Sequence, residues 1–130
     1  MTVLVDIELE LITRGVARFP DAVVRDELDN NLLAELPTIQ IRQVPGGGVE
    51  GLRLARMFVD IDAYAATRAD AITLARQVHD WVTVELRGSS SDSVAIARTG
   101  ALTLPAERPY TNTDLRRVGA TYEIFCRSVS

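Results

Sequence analysis

Asp60-Ile61-Asp62 places two carboxylates two residues apart. In an extended chain that spacing sends both to the same face. Such a pair can hold Mg²⁺ or Ca²⁺ when other oxygens converge on it. Two side chains alone do not build that site. The same pattern is what the polar outer face of a half-buried sheet looks like, with counter-charges such as Arg42 or Arg127 on other strands. The second reading is the expectation for Asp60 and Asp62. His79, the only histidine, would need a nucleophile and an orienting acid to serve as a catalytic base. Its sequence neighbour Asp80 does not provide the acid, because adjacent residues on a helix do not face each other. A half-buried structural histidine is expected. Cys126 alternates with Ile124, Tyr122 and Ala120 and reads as a small core residue. Trp81 reads as core or as an interface anchor.

The stretch Gln43-Val44-Pro45-Gly46-Gly47-Gly48-Val49-Glu50-Gly51 carries four glycines in nine residues. A phosphate-binding loop needs Lys and Ser/Thr directly after its last glycine, with a helix opening there. Here Leu52-Arg53-Leu54 follows and the pattern turns to strand. The dinucleotide fingerprint fails for the same want of a helix. Gly46, Gly47 and Gly48 are therefore expected in a mobile hairpin connection. No triad, metal set or cofactor motif assembles, and the chain reads as a non-enzyme without a cofactor.

The elements that would position these residues follow from hydrophobic period. Over residues 4–19, Val5, Leu9, Ile12, Val16 and Phe19 recur at steps of four and three, with Leu4, Ile7 and Leu11 widening the face. That is an amphipathic helix. Asp6, Glu8 and Glu10 suit its start and Arg14 and Arg18 its end; Pro20 stops it. Val23-Val24 fits a short extended piece. Residues 37–44 alternate as a strand behind Pro37. In a longer strand over residues 53–65, Met57, Val59, Ile61 and Ala63 face one way and Phe58, Asp60, Asp62 and Tyr64 the other. Thr67-Arg68-Ala69-Asp70 resembles a capping box. It opens a second helix with Ala71, Leu74, Val78, Trp81 and Val82 on one face, closed by Gly88. Residues 94–104 and 116–127 read as two further strands. This order predicts one α+β domain over residues 1–130: an antiparallel sheet of about four strands packed on one side by two helices.

The totals bound the function. A chain of 130 residues, 47% hydrophobic and 25% charged, is ordinary globular material and holds one core. A net charge of −4 argues against a sheath gripping nucleic acid, which needs a basic surface. One cysteine leaves no disulfide within the chain. No signal-peptide pattern or membrane-length apolar run is present, so a soluble protein inside the cell is expected.

Taken together, four stretches resemble the tail terminator proteins of long, non-contractile-tailed phages. They are the first helix running into Ala17-Arg18-Phe19-Pro20, then Pro37-Thr38-Ile39-Gln40-Ile41 with its glycine-rich sequel. The third is Val59-Asp60-Ile61-Asp62-Ala63-Tyr64-Ala65 with Thr67-Arg68 and the second helix. The fourth is Ala101-Leu102 to Leu104-Pro105, Arg108-Pro109-Tyr110 and Arg116-Arg117-Val118-Gly119-Ala120-Thr121-Tyr122-Glu123. The last is the most specific, being similar to phage proteins of actinobacterial hosts. The resemblance implies a virion protein at the head-proximal end of the tail, assembled in the host cytoplasm. It implies a homohexameric ring that caps the tail tube, halts its polymerisation and offers a joining surface to head-completion or connector proteins. DNA would pass through the lumen unbound.

A closed ring requires two complementary patches per subunit. On this reading Asp60, Asp62 and Glu123 oppose Arg116, Arg117 and Arg127 between subunits, and Gly46, Gly47 and Gly48 order on contact with a neighbouring ring. The alternatives are a head–tail stopper or other neck protein, a divalent-metal enzyme using Asp60 and Asp62, and a monomeric host binding module.

Overall fold

Asp6 accepts a hydrogen bond from the Leu9 amide and opens α1, Ile7–Arg18, whose end is closed by the Phe19 amide on the Gly15 carbonyl. The computed structural model describes residues 3–51 and 53–129. After α1 come β1 (Val23–Arg25), a 3₁₀ turn (Leu32–Glu35), β2 (Thr38–Glu50) and β3 (Leu54–Ala65). Then follow α2 (Arg68–Asp80), one π-helical turn (Trp81–Glu85), β4 (Val94–Ala101), β5 (Ala106–Arg108) and β6 (Arg116–Ser128).

The class is α+β, as the hydrophobic pattern predicts, with two helices packed on a mixed sheet of six strands among the described residues. The strand order is β1-β2-β3-β6-β4, and β5 pairs with β6 beside β4. Two strands beyond the expected four are three residues each. β1 runs parallel to β2, and every other pairing is antiparallel. Strands this short carry no period to read; they exist because a longer neighbour supplies the ladder.

The alternation expected in residues 53–65 holds. Ala55, Met57, Val59, Ile61 and Ala63 are buried with Ile39, Ile41, Ala120, Tyr122, Ile124 and Cys126 under the helices. α1 packs on β1 and β2, and α2 packs on β3 and β6 over Ala63, Ala65 and Val118. Phe19 meets Trp81 edge-on between them, 5.4 Å apart, which makes Trp81 a core residue. On the other face, Tyr64, Leu32 and Leu115 form a smaller cluster with Leu28, Leu36 and Tyr110.

Two expectations need correction. The buried face of α1 is Ile7, Leu11 and Gly15 with Phe19 beyond, while Leu9 and Val16 lie 62% and 54% exposed. Gly15 explains the rotation. A Cβ there would come within 3.1 Å of Val24 and 3.5 Å of Trp81, so the glycine lets the helix seat closely. Arg14, on the same side, donates to Glu10, to the Ser89 hydroxyl and to the Val94 carbonyl. Eight residues of the glycine-rich stretch, from Gln43 to Glu50, are also not a loop. They belong to β2, which bulges: Val44 faces Phe58 and Gly48 faces Arg56, so Pro45, Gly46 and Gly47 stand opposite Met57 alone. A bulge tolerates the missing proline N–H. Gly47 has φ +90°, and a Cβ there would overlap the Arg56 carbonyl. The reversal itself comes later, where the Arg53 amide donates to the Glu50 carbonyl.

Candidate functional site

Asp60 and Asp62 sit on the sheet face away from the helices, and antiparallel register decides what meets them. Asp62 stands opposite Gly119 and Asp60 opposite Thr121 on β6. A Cβ at position 119 would overlap the Asp62 carboxylate, so the glycine leaves that carboxylate its room. β5 then brings Arg108 alongside Arg117.

The two arginines close on Asp62 from both sides. Arg108 Nη1 donates to Oδ1 at 3.1 Å and Arg117 Nη2 to Oδ2 at 2.9 Å. Asp62 is 2% exposed. Arg108 also lies 3.5 Å from Asp60 Oδ1 and donates to the Thr121 hydroxyl at 3.2 Å, and that hydroxyl donates to Asp60. Burial works against the charge on Arg117, but the hydrogen bond and charge of Asp62 outweigh it and raise its pKa. Beside the cluster, the Tyr64 hydroxyl donates to Gln40 Oε1 at 2.8 Å, and Gln40 Nε2 donates to the Asp26 carbonyl at 3.0 Å. Burial pushes the Tyr64 phenol up to about 12.

These counter-charges differ from the ones expected. Arg42 faces Asp60 in register, yet the ion pairs to the aspartates come from Arg108 and Arg117. Arg127 donates to the Ser128 carbonyl, at 3.4 Å, and to no aspartate among the described residues. Glu123 pairs with Arg56 at 2.8 Å, and Arg116 donates to the Thr113 and Leu115 carbonyls and lies 3.8 Å from Glu107. Of the residues proposed for contacts between subunits, Asp62 and Arg117 are thus joined within one chain. Gly46, Gly47 and Gly48 lie apart from them in the bulge. The sequence pattern missed Arg108, Thr121 and Gly119 as partners of the aspartates. Arg108 sits in a three-residue strand, and only the sheet register reveals the other two.

The carboxylates of the cluster are satisfied, while Arg117 Nε is buried without a hydrogen-bond partner among the described residues. Each carboxylate already accepts from cationic or hydroxyl donors, and among the described residues no three His, Cys, Asp or Glu side chains stand together to hold a metal. His79 is half-buried with Nδ1 3.1 Å from the Tyr122 hydroxyl, a structural placement. Burial raises the Tyr122 pKa. Cys126 is fully buried with Sγ 4.0 Å from the Met57 sulfur. No helix among the described residues is long and apolar enough to cross a membrane.

Apolar side chains are left exposed at several places, Leu33, Val49 and Val84 among them, and two concern the helices. One is the outer side of α1 at Leu9 and Val16. The other lies along the flank of α2 that faces the β4–β5 connection, where Leu104 is 74% exposed. Here Arg68, Ile72, Arg76, His79 and Asp80 form one wall and Leu104, Pro105 and Glu107 the other of a groove of about 490 Å³, so its lining is mixed and carries both signs of charge. In comparison with known proteins, the chain matches no protein-family model and no curated protein.

Proposed function

We propose that the protein is a structural subunit of a phage tail, a tail terminator that closes head-to-tail into a hexameric ring. The ring caps the tail tube, stops its growth and meets the head-completion or connector proteins. The observation that carries this reading is apolar surface left exposed at separate places on one subunit, among them Leu9 and Val16 on α1 and Leu104 after β4. A closed ring of identical subunits joins one surface to a different one, and exposed apolar patches mark such contacts. The pairing of Asp60 and Asp62 with Arg108 and Arg117 fits a part whose charges hold its shape rather than perform a reaction. The net charge of −4 suits a lumen that DNA passes without being held.

The test is the mass of the protein across concentration, alone and with purified tail tubes, by sedimentation and negative-stain imaging. Rings at one end of each tube are expected. A protein that leaves tubes uncapped and polymerising at every concentration overturns the proposal, and one that binds the connector but not the tube moves it to the neck.

A further inference from the structure

The sheet face away from the helices is divided by charge. At the Tyr64 end the segment after β1 lies over it, with Leu28, Leu32 and Leu36 packed on Tyr64 and Leu115. Gln40 fixes that segment by donating to the Asp26 carbonyl. On top of the sheet it carries Asp26, Glu27, Asp29 and Glu35 against one cation, Arg25, which pairs with the last two. The Glu27 carboxylate has no hydrogen bond or ion pair among the described residues, and the Asp26 carboxylate accepts only from the Glu27 amide. Leu33, on the same segment, is 49% exposed.

Past Asp60 the face is open and basic. Register places Val44, Phe58 and Glu123 in one row across β2, β3 and β6, and Arg56, Phe125 and Arg98 in the next. The Arg56 guanidinium lies 4.7 Å from the centre of the Phe58 ring and that of Arg98 4.1 Å from Phe125, so each cation stacks on an aromatic face. Glu123 and Glu50 answer these two arginines. Arg42 and Arg127, exposed at the flanks, form no ion pair among the described residues. Four arginines thus stand against two carboxylates. At the border, Asp60 and Asp62 are matched by Arg108 and Arg117.

We infer that two copies of this chain pair face to face about a two-fold axis running across the strands. That rotation exchanges the two ends of the face, so the acidic segment of each copy covers the open basic end of the other. It also keeps the β2 side of one copy over the β2 side of its partner, which brings Glu27 to Arg42 and Leu33 to the row of Val44 and Phe58. A two-fold contact must be self-complementary, and a face whose ends differ in sign meets that requirement with a second copy of itself. An axis along the strands would set like charges together, which repel. The pairing uses one face twice, unlike the head-to-tail contact of a ring, so it goes beyond that reading and does not depend on it.

Sedimentation across concentration, at about 50 and about 500 mM salt, tests it. The wild type should form a dimer that weakens as salt rises. Arg42→Glu and Glu27→Arg should each weaken it about tenfold. Both side chains are exposed and unpaired within the chain, so both variants should fold as the wild type does. Mixing the two variants is the sharpest arm. In the mixed pair each reversed charge faces its opposite at both ends, so a one-to-one dimer should return. A wild type that stays monomeric, a dimer indifferent to salt or to either substitution, or a mixture that does not pair overturns the inference. Tube capping is scored separately. A dimer that caps no tube would remove the tail reading and leave this contact, whereas capped tubes from a protein that never dimerises would do the reverse.

Discussion

Arg117→Met removes one of the two guanidinium groups that close on Asp62 while keeping an apolar stem of similar length. Breaking a fully buried ion pair costs about 3–5 kcal/mol, because the remaining charge is stranded. Two features reduce that here. Arg108 still donates to the other Asp62 oxygen at 3.1 Å. The Arg117 side chain is also 27% exposed, so water screens part of the interaction. About 2 kcal/mol is left, which for a domain of this size lowers Tm by roughly 7 °C.

The assay is thermal and urea unfolding of four proteins: wild type, Arg117→Met, Asp62→Asn and the double variant. With Asp62 neutral the arginine has no stranded partner to rescue, so Arg117→Met should cost less than about 0.5 kcal/mol in that background. An Arg117→Met protein melting within about 1 °C of wild type would refute the account. Equal costs in both backgrounds would show that the arginine acts through packing alone. Either result would return Arg117 to the pool of residues free for contacts between subunits.

Gly47→Ala should destabilise by about 1–3 kcal/mol, since φ is +90° and the new Cβ meets the Arg56 carbonyl; a mobile connection would instead tolerate it, and urea unfolding separates the two. Burial, with a smaller contribution from Glu10, raises the Cys126 thiol to about 11. At pH 8 the thiolate is then only about one part in a thousand. Labelling by a thiol reagent should therefore follow unfolding and not precede it, and rapid modification of the folded protein would contradict the buried placement.

The parts of the fold that announce themselves in the sequence are those where one period runs long enough. β3 does so because Met57, Val59, Ile61 and Ala63 alternate with Phe58, Asp60, Asp62 and Tyr64 over most of its length, and the structure buries the first set. α2 does so because Thr67 caps it, accepting from the Asp70 amide. α1 is legible as a helix but not in its rotation. A count of apolar residues cannot see that Gly15, with no side chain, marks the face that approaches Val24 and Trp81. The bulge hid for the opposite reason: Pro45-Gly46-Gly47-Gly48 has the composition of a loop, and only pairing with β3 makes it strand. At the site, Asp60 and Asp62 were visible as a pair on one face, while their partners were not, because Arg108 and Arg117 are brought together by β5 and β6 lying side by side.

The same facts bear on where contacts between subunits must form. A charge satisfied at home gains little by exchanging its partner for one on a neighbour, because the exchange must first break a desolvated pair. Asp62, buried between Arg108 and Arg117, is such a group, so it sets the shape of the outer sheet face without supplying affinity. Apolar surface has no such competing partner. Leu9, Val16 and Leu104 lose only water when covered. The division of labour is physical: pairs closed within the chain hold the fold, and what the fold leaves open, apolar and unpaired, is what a second copy can join.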